Sequence, residues 1–247
     1  MRIKELIWGF IAKNFGSFNA IRYIEFNIIE NWLLPKKKDI ILDLACGAGE
    51  LSKKMATYGA VVIGVDISKK SAKKFMILNK GNASIVVANA EKLPFKSNVF
   101  DKIVCNTALQ LIYDDIAVLR EIYRTLKHCG YVILTVDSMI HPTATTTIKK
   151  IHKIKNKVYR YYTIEDIKKK AELTKMEIVD FRYYIHSYPS AILFNLGIML
   201  NWSPIWRVIS ILFYPAIKIA ESIGKPRKGY GLAVKLRKNT DFKNMFE

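Results

Sequence analysis

Acidic residues are missing from two long stretches of this chain. None lies between Asp137 and Glu165, and none between Glu221 and Asp241. The first stretch carries six bases (Lys149, Lys150, Lys153, Lys155, Lys157, Arg160), and the second another six (Lys225, Arg227, Lys228, Lys235, Arg237, Lys238). Together they hold most of a formal net charge of +19 over 247 residues. Such patches suit an anionic membrane surface, RNA or a phosphorylated substrate. A lysine-rich composition with solvated faces accounts for them as well. Cysteine is also scarce: Cys46, Cys105 and Cys129 form no Cys-x-x-Cys pair. That argues against a disulfide framework, and a reduced, cytoplasmic protein is expected. No clustered His, Cys or carboxylate spacing suggests a metal site. Residues 1–18 mix charges with apolar residues throughout, so no secretory leader is expected. A clean membrane span is lacking too. Ser187 to Trp206 holds no charge, but Asn195, Asn201, Ser203 and Pro204 interrupt it and Arg207 closes it. Disorder is not the default, because 51% of the residues are hydrophobic.

The most informative stretch is Ile40–Glu50, Ile-Ile-Leu-Asp-Leu-Ala-Cys-Gly-Ala-Gly-Glu. Ile40 to Leu44 is a short apolar run rich in β-branched residues and reads as a buried strand. Ala45, Gly47 and Gly49 follow at alternate positions, and Leu51 to Ala56 begins an amphipathic helix. A strand, a tight small-residue turn and a helix make the first half of a nucleotide-binding βαβ unit. Small side chains let the backbone approach a ligand, and the helix start offers free N–H groups. Val61 to Val65 is a second buried strand, and it ends in Asp66. An acid about 20 positions beyond the glycine turn is placed to accept hydrogen bonds from ribose hydroxyls.

The turn is tighter than the Gly-x-Gly-x-x-Gly of dinucleotide sites, and Asp43 sits inside the strand end. This pattern resembles the class I S-adenosylmethionine-dependent methyltransferases. Further matches follow in order: Val86 to Phe95 (Val-Val-Ala-Asn-Ala-Glu-Lys-Leu-Pro-Phe) for the adenine-side segment, Phe100 to Val104 for the fourth strand, and Leu119 to Lys127 for the helix before the fifth. Asp-Leu-Ala-Cys-Gly and Ala-Asn-Ala-Glu-Lys-Leu-Pro-Phe most resemble the ubiquinone/menaquinone-type C-methyltransferases. The resemblance implies that S-adenosyl-L-methionine is the cofactor. It implies that Asp43, Ala45, Gly47, Ala48 and Gly49 form the turn around the methionine portion, that Asp66 holds the ribose, and that Ile67 flanks the adenine. The same resemblance implies that Asn89 and Ala90 meet the adenine edge, and that Asn106 contacts the cofactor after the fourth strand. Many relatives carry Asp at the position of Asn89, but an amide oxygen still accepts from the adenine amino group.

The expected fold is α/β: a Rossmann-like, seven-stranded, mostly parallel sheet with an antiparallel last strand. Strands are expected at 40–44, 61–65, 84–88, 102–106 and 131–136, and helices at 49–58, 69–80 and 115–127. Lys127-His128-Cys129-Gly130 is expected to end the last of these helices, with Gly130 as its left-handed residue. Thr163 followed by Asp166 resembles a capped helix start, and Met176 to Tyr184 reads as a sixth strand. Four regions result. Residues 1–38 form an N-terminal helical cap, with a helix over Ile21–Leu33, a shorter one through Leu6, Ile7, Phe10 and Ile11, and a break at Gly16-Ser17. Residues 39–185 form the cofactor-binding core. Residues 186–228 are an apolar insertion of two short helices broken near Pro204, either a lid or a membrane-interface element. Residues 229–247 hold the last strand and the tail.

A long apolar insertion, starting from the rim where parallel sheets bind ligands, suits a small lipophilic acceptor. An anionic membrane surface is a candidate partner, giving a cytoplasmic protein that touches the membrane peripherally; nucleic acid is the less favoured partner. A carbon acceptor needs a base. Asp137, His141 and His186 stand near the predicted strand ends, and His141 is preferred because it follows the fifth strand closely. Two other readings stay open. An RNA methyltransferase fits the charge, although Asn106-Thr-Ala-Leu109 is not an Asn/Asp-Pro-Pro-Tyr-type motif. A non-catalytic membrane- or partner-binding protein that kept the fold is the other.

Overall fold

The computed structural model describes residues 20–201, 203–223 and 226–238. The short helix expected near residues 6–11, the break at Gly16-Ser17, and the tail lie outside the described residues. In chain order the elements are α1 (Ala20–Leu33), β1 (Ile40–Leu44), α2 (Glu50–Ala56), β2 (Val61–Asp66), α3 (Lys69–Asn79), β3 (Ser84–Val87), β4 (Phe100–Asn106), a 3₁₀ turn (Leu109–Leu111), α4 (Asp115–Thr125) and β5 (Leu126–Asp137). They continue as α5 (Thr146–Asn156), α6 (Ile164–Leu173), β6 (Met176–Tyr184), α7 (Tyr188–Met199), α8 (Pro204–Leu212), α9 (Tyr214–Ser222) and β7 (Gly231–Lys238).

The seven strands form one sheet in the order β3-β2-β1-β4-β5-β7-β6. β1 pairs in parallel with β2 and β4, β2 with β3, and β4 with β5, whereas β7 runs antiparallel to β5. The strand order reverses between β1 and β4, the switch point where open α/β sheets bind ligands. Strands covered on both faces need continuous apolar sequence, not alternation. Ile41, Leu42, Leu44, Ile103, Val104, Val132, Ile133 and Leu134 are accordingly buried.

One turn differs from expectation. β5 starts directly after α4, and its register with β4 shifts between the Phe100 and Lys102 pairings. The left-handed residue is Cys129, at φ 62°, not Gly130. Gly130 is needed for space instead: a Cβ there would stand 2.9 Å from the Asp101 carbonyl and 2.9 Å from Leu126 Cδ1. The bulge brings a strand backbone closer than a side chain allows.

The chain divides into two compact units. The nucleotide-binding unit comprises residues 28–138, 159–182 and 231–238. Within it α2 and α3 pack on β2, and α4 packs on β5 and α6. Asp115, at the start of α4, is a buried hub: it binds Arg160 at 3.1 Å, Lys170 at 2.9 Å and the Tyr162 hydroxyl at 2.6 Å. Thr163 and Asp166 form the expected capping box of α6.

The helical unit comprises residues 20–27, 139–158 and 183–230 apart from the undescribed positions. α7 buries Ala191, Phe194 and Ile198, which recur at helical spacing. Among its described residues the insertion contains three helices rather than two. α8 begins at Pro204, as the break near that residue predicts, with Ser203 as its cap. Pro215 then starts α9 anew. Trp206 is wholly buried, and its indole N–H donates to the Leu193 carbonyl at 2.9 Å.

Candidate active site

The bend after β1 is built from left-handed residues: Ala45 at φ 56°, Gly47 at 57° and Gly49 at 80°. Two of these conformations fall on glycine, where they carry no Cβ penalty. The glycines serve different ends. A Cβ on Gly49 would lie 2.2 Å from Phe75 Cδ2 and 2.6 Å from Asn79 Nδ2, so this glycine lets α3 approach. A Cβ on Gly47 would meet nothing within 4 Å; it would project into open space. Gly47 therefore keeps room for something other than protein.

Asp66 closes the bend. Its Oδ2 accepts the Gly47 N–H at 2.9 Å, and its Oδ1 accepts the Ser68 N–H at 2.8 Å. Each oxygen thus takes one backbone donor and keeps a second acceptor site. Ile67, next in the chain, is an apolar side chain left 72% exposed. Across the β2–β3 pair, the Ala88 N–H binds the Asp66 carbonyl at 3.2 Å, which leads the chain to Asn89 and Ala90. Asn89 is exposed and accepts the Glu91 N–H at 3.0 Å, a local turn, while Ala90 is buried. At the end of β4 the Asn106 side-chain oxygen accepts from the Thr135 hydroxyl at 2.7 Å. Ala45 to Gly49, Asp66, Ile67, Asn89, Ala90 and Asn106 thus follow the carboxyl ends of four neighbouring strands in the nucleotide-binding unit.

Asp43 plays a different part. It is 2% exposed, inside β1, and accepts from the Ser52 hydroxyl of α2 at 2.5 Å. That bond fixes the strand to the helix on either side of the bend. Asn79 adds a second brace, donating to the Gly49 carbonyl at 3.3 Å. Neither Ser52 nor Asn79 has a sequence signal of its own, since both sit at unremarkable helix positions. Cys46 lies within the bend, where burial and then the Asp43 and Asp66 carboxylates push its thiol pKa upward. It is held as a neutral thiol, not as a nucleophile.

His141 belongs to the helical unit. It is 5% exposed, and both ring nitrogens are engaged. Nδ1 accepts the Thr143 N–H at 3.2 Å, and Nε2 stands 3.1 Å from the His186 carbonyl, so the ring is the Nε2–H tautomer. The ring stacks on Tyr230, whose hydroxyl donates to Asn195 Oδ1 at 2.7 Å and lies 2.9 Å from the Thr143 hydroxyl. Burial lowers the His141 pKa, favouring the neutral ring. His141 ties three chain segments together, and its basic nitrogen already holds a donor. Among the described residues, no three His, Cys, Asp or Glu side chains cluster as metal ligands do.

The bend, the acid at the end of β2 and the sheet order together fit the nucleoside of S-adenosylmethionine. The open space at Gly47 and the spare acceptor sites of Asp66 are the observations that make the fit. Residues 42–134 match the methyltransferase-domain family. A ubiquinone/menaquinone biosynthesis C-methyltransferase of a Shewanella species is 33% identical over 187 residues, 72% of this chain and 69% of that protein. An uncharacterised protein of Methanocaldococcus jannaschii is 35% identical over 142 residues, 56% of this chain. A ubiquinone/menaquinone biosynthesis C-methyltransferase of Coxiella burnetii is 29% identical over 155 residues, 60% of this chain. The chain spans 53% of the length of the M. jannaschii relative and 58% of the C. burnetii one. Among solved structures, phosphoethanolamine N-methyltransferase 2 of Haemonchus contortus, in complex with S-adenosylmethionine, superposes with a TM-score of 0.66 at 19% identity, over 94% of this chain and 60% of that one. Fold and site define a class I S-adenosylmethionine-dependent methyltransferase domain. The chain belongs to that family, near its ubiquinone/menaquinone C-methyltransferase type, and the domain's cofactor is S-adenosylmethionine.

Proposed function

We propose that this protein transfers a methyl group from S-adenosylmethionine to a small lipophilic acceptor: a prenylated quinone, another isoprenoid or a lipid. One observation carries the cofactor half of the reading, the Asp66 carboxylate bound to Gly47 beneath open space. The bound cofactor supplies a methyl group already activated on a sulfonium sulfur. The chain's work is then to hold both reactants in line, an entropic contribution. Asp66 accepts from the ribose hydroxyls, Ile67 lies along the adenine, and Asn89 and Ala90 meet its edge. Ala45, Gly47, Ala48 and Gly49 surround the methionine portion. Asp43 acts one step back, by bracing the bend, and Asn106 borders the methyl-donating end.

Two findings support the acceptor class. Relatives at 29% and 33% identity are named as quinone-biosynthetic C-methyltransferases. The insertion between β6 and β7 is apolar and leaves several large hydrophobic side chains exposed. A carbon acceptor must lose a proton. We assign that step to a group at the end of β5: Asp137, two residues past the Asn106↔Thr135 pairing, with His141 shortly after it as the alternative. Incubation with labelled S-adenosylmethionine and a total lipid extract tests the reading. Label is expected in the organic phase, and label in RNA alone would overturn it. Asp137→Asn is expected to lower kcat at unchanged cofactor affinity.

A further inference from the structure

We propose that the helical unit docks on an anionic lipid bilayer, with α7 to α9 lying in the interface and α5 supplying positive charge. The inference stands on the surface of that unit and not on the methyl-transfer reading. α7 has two apolar faces. One is buried; along the other, Tyr188, Ile192, Leu196 and Leu200 recur every fourth residue at 61, 54, 41 and 44% exposure. A helix facing water on that side would carry polar residues there. Leu212 and Phe213, at the junction of α8 and α9, are also exposed, at 73% and 56%. Large apolar side chains exposed along one helix face mark an interaction site.

The charge of the unit selects the occupant. Its two described acids, Glu25 and Glu221, are 6% and 5% exposed, so no carboxylate reaches its described surface. The bases do reach it: Lys150, Lys153 and Lys155 on α5, Lys157 just after it, Lys218 on α9, and Arg227 and Lys228 are all exposed. α5 packs on α7, and the Lys155 ammonium donates to the Ile198 carbonyl at 3.0 Å, so the basic row is fastened to the helix that bears the apolar stripe. No described helix is long and apolar enough to cross a membrane. Short helices with an apolar face and flanking lysines lie in the plane of the interface. RNA would neutralise the lysines but leave aliphatic side chains uncovered. A second copy of the chain would cover them but set one basic row against another. An anionic bilayer satisfies both.

Flotation with vesicles tests this on the full chain. Binding is expected to vesicles of phosphatidylglycerol and phosphatidylcholine in equal parts, at least about tenfold stronger than to phosphatidylcholine alone, and weakened by salt. Ile192→Glu with Leu196→Glu is expected to abolish it. Lys150→Glu with Lys153→Glu is expected to lower it about tenfold or more at low salt. Both variants should keep wild-type S-adenosylmethionine affinity, which shows that they fold. No vesicle binding, equal binding to neutral vesicles, or binding indifferent to these substitutions would overturn the proposal. So would a dimer in sedimentation that Ile192→Glu splits while vesicles are ignored, or RNA capture without vesicle binding. Flotation needs no turnover, so its failure leaves methyl transfer standing, and an inactive but vesicle-bound protein leaves the docking face standing.

Discussion

Two carboxylates, one in each unit, gather backbone N–H groups, and they do so to different degrees. Glu221, at the end of α9, receives five donors: the N–H groups of Ile185 (2.8 Å), His186 (2.9 Å) and Ser187 (2.9 Å), the Ser190 hydroxyl (2.5 Å) and His186 Nδ1 (2.9 Å). Asp66, at the end of β2, receives two, one on each oxygen. The saturated carboxylate has nothing left to offer a ligand; it anchors the start of α7. The half-satisfied one is poised to accept more. Buried polar groups seek full pairing, so the count of donors separates a structural anchor from a ligand site, even where both look like acids at the ends of elements.

The largest expected effect would break the structural half of this contrast. Glu221→Ala leaves three N–H groups without their acceptor in a buried place and should destabilise the helical unit by about 3–4 kcal/mol. Thermal and urea unfolding measure it, and a shift below about 1 kcal/mol would refute the anchoring role. Asp66→Ala should act on the ligand instead. S-adenosylmethionine affinity should fall about 100-fold by calorimetry, with a much smaller stability loss.

The two glycines of the bend sharpen the same contrast within five residues. Gly49→Ala meets Phe75 and Asn79 and should cost about 2–3 kcal/mol of stability. Gly47→Ala meets nothing and should cost about 1–2 kcal/mol for its backbone conformation alone, yet should weaken cofactor binding about tenfold. Equal effects of the two on stability and on binding would dissolve the distinction.

A further effect is one of pH. The hydrogen bonds from His186, Ser190 and Ser187 outweigh burial and pull the Glu221 carboxyl down to about 2. A carboxylate lowered in the folded state contributes stability above its unfolded pKa, and that contribution is lost as pH falls through the folded value. Stability from Glu221 should therefore be complete above roughly pH 5 and drain away toward pH 2. Glu221→Gln should flatten that limb of the stability–pH profile.

Much of the nucleotide-binding unit was legible because parallel strands announce themselves as unbroken apolar runs, and the bend as small residues at alternate positions. The spacing from Gly47 to Asp66 is fixed by one helix and one strand, so their shared end of the sheet was legible, but the bond between them was not. Other features have no local code. α5 hides within a basic run: only Ile148 and His152 are buried on it, and five lysines in and just after the helix mask its period. α9 follows α8 with a single intervening residue, so the restart at Pro215 was invisible in a continuous apolar stretch. The role of His141 depended on Thr143, His186 and Tyr230, one of them nearly 90 residues away in sequence. Its place near a strand end could be read from the chain, but the partners that hold the ring could not.

The bulge at the start of β5 has a practical outcome. It turns Cys129 outward, whereas Cys105 is buried and raised to about 12, and Cys46 is held protonated in the bend. A maleimide added at one equivalent should therefore choose Cys129. Because that residue sits where β5 begins, a fluorophore or a biotin attached there would mark the end of the unit remote from the glycine bend, giving a reporter or a tether that leaves the ligand's doorway clear.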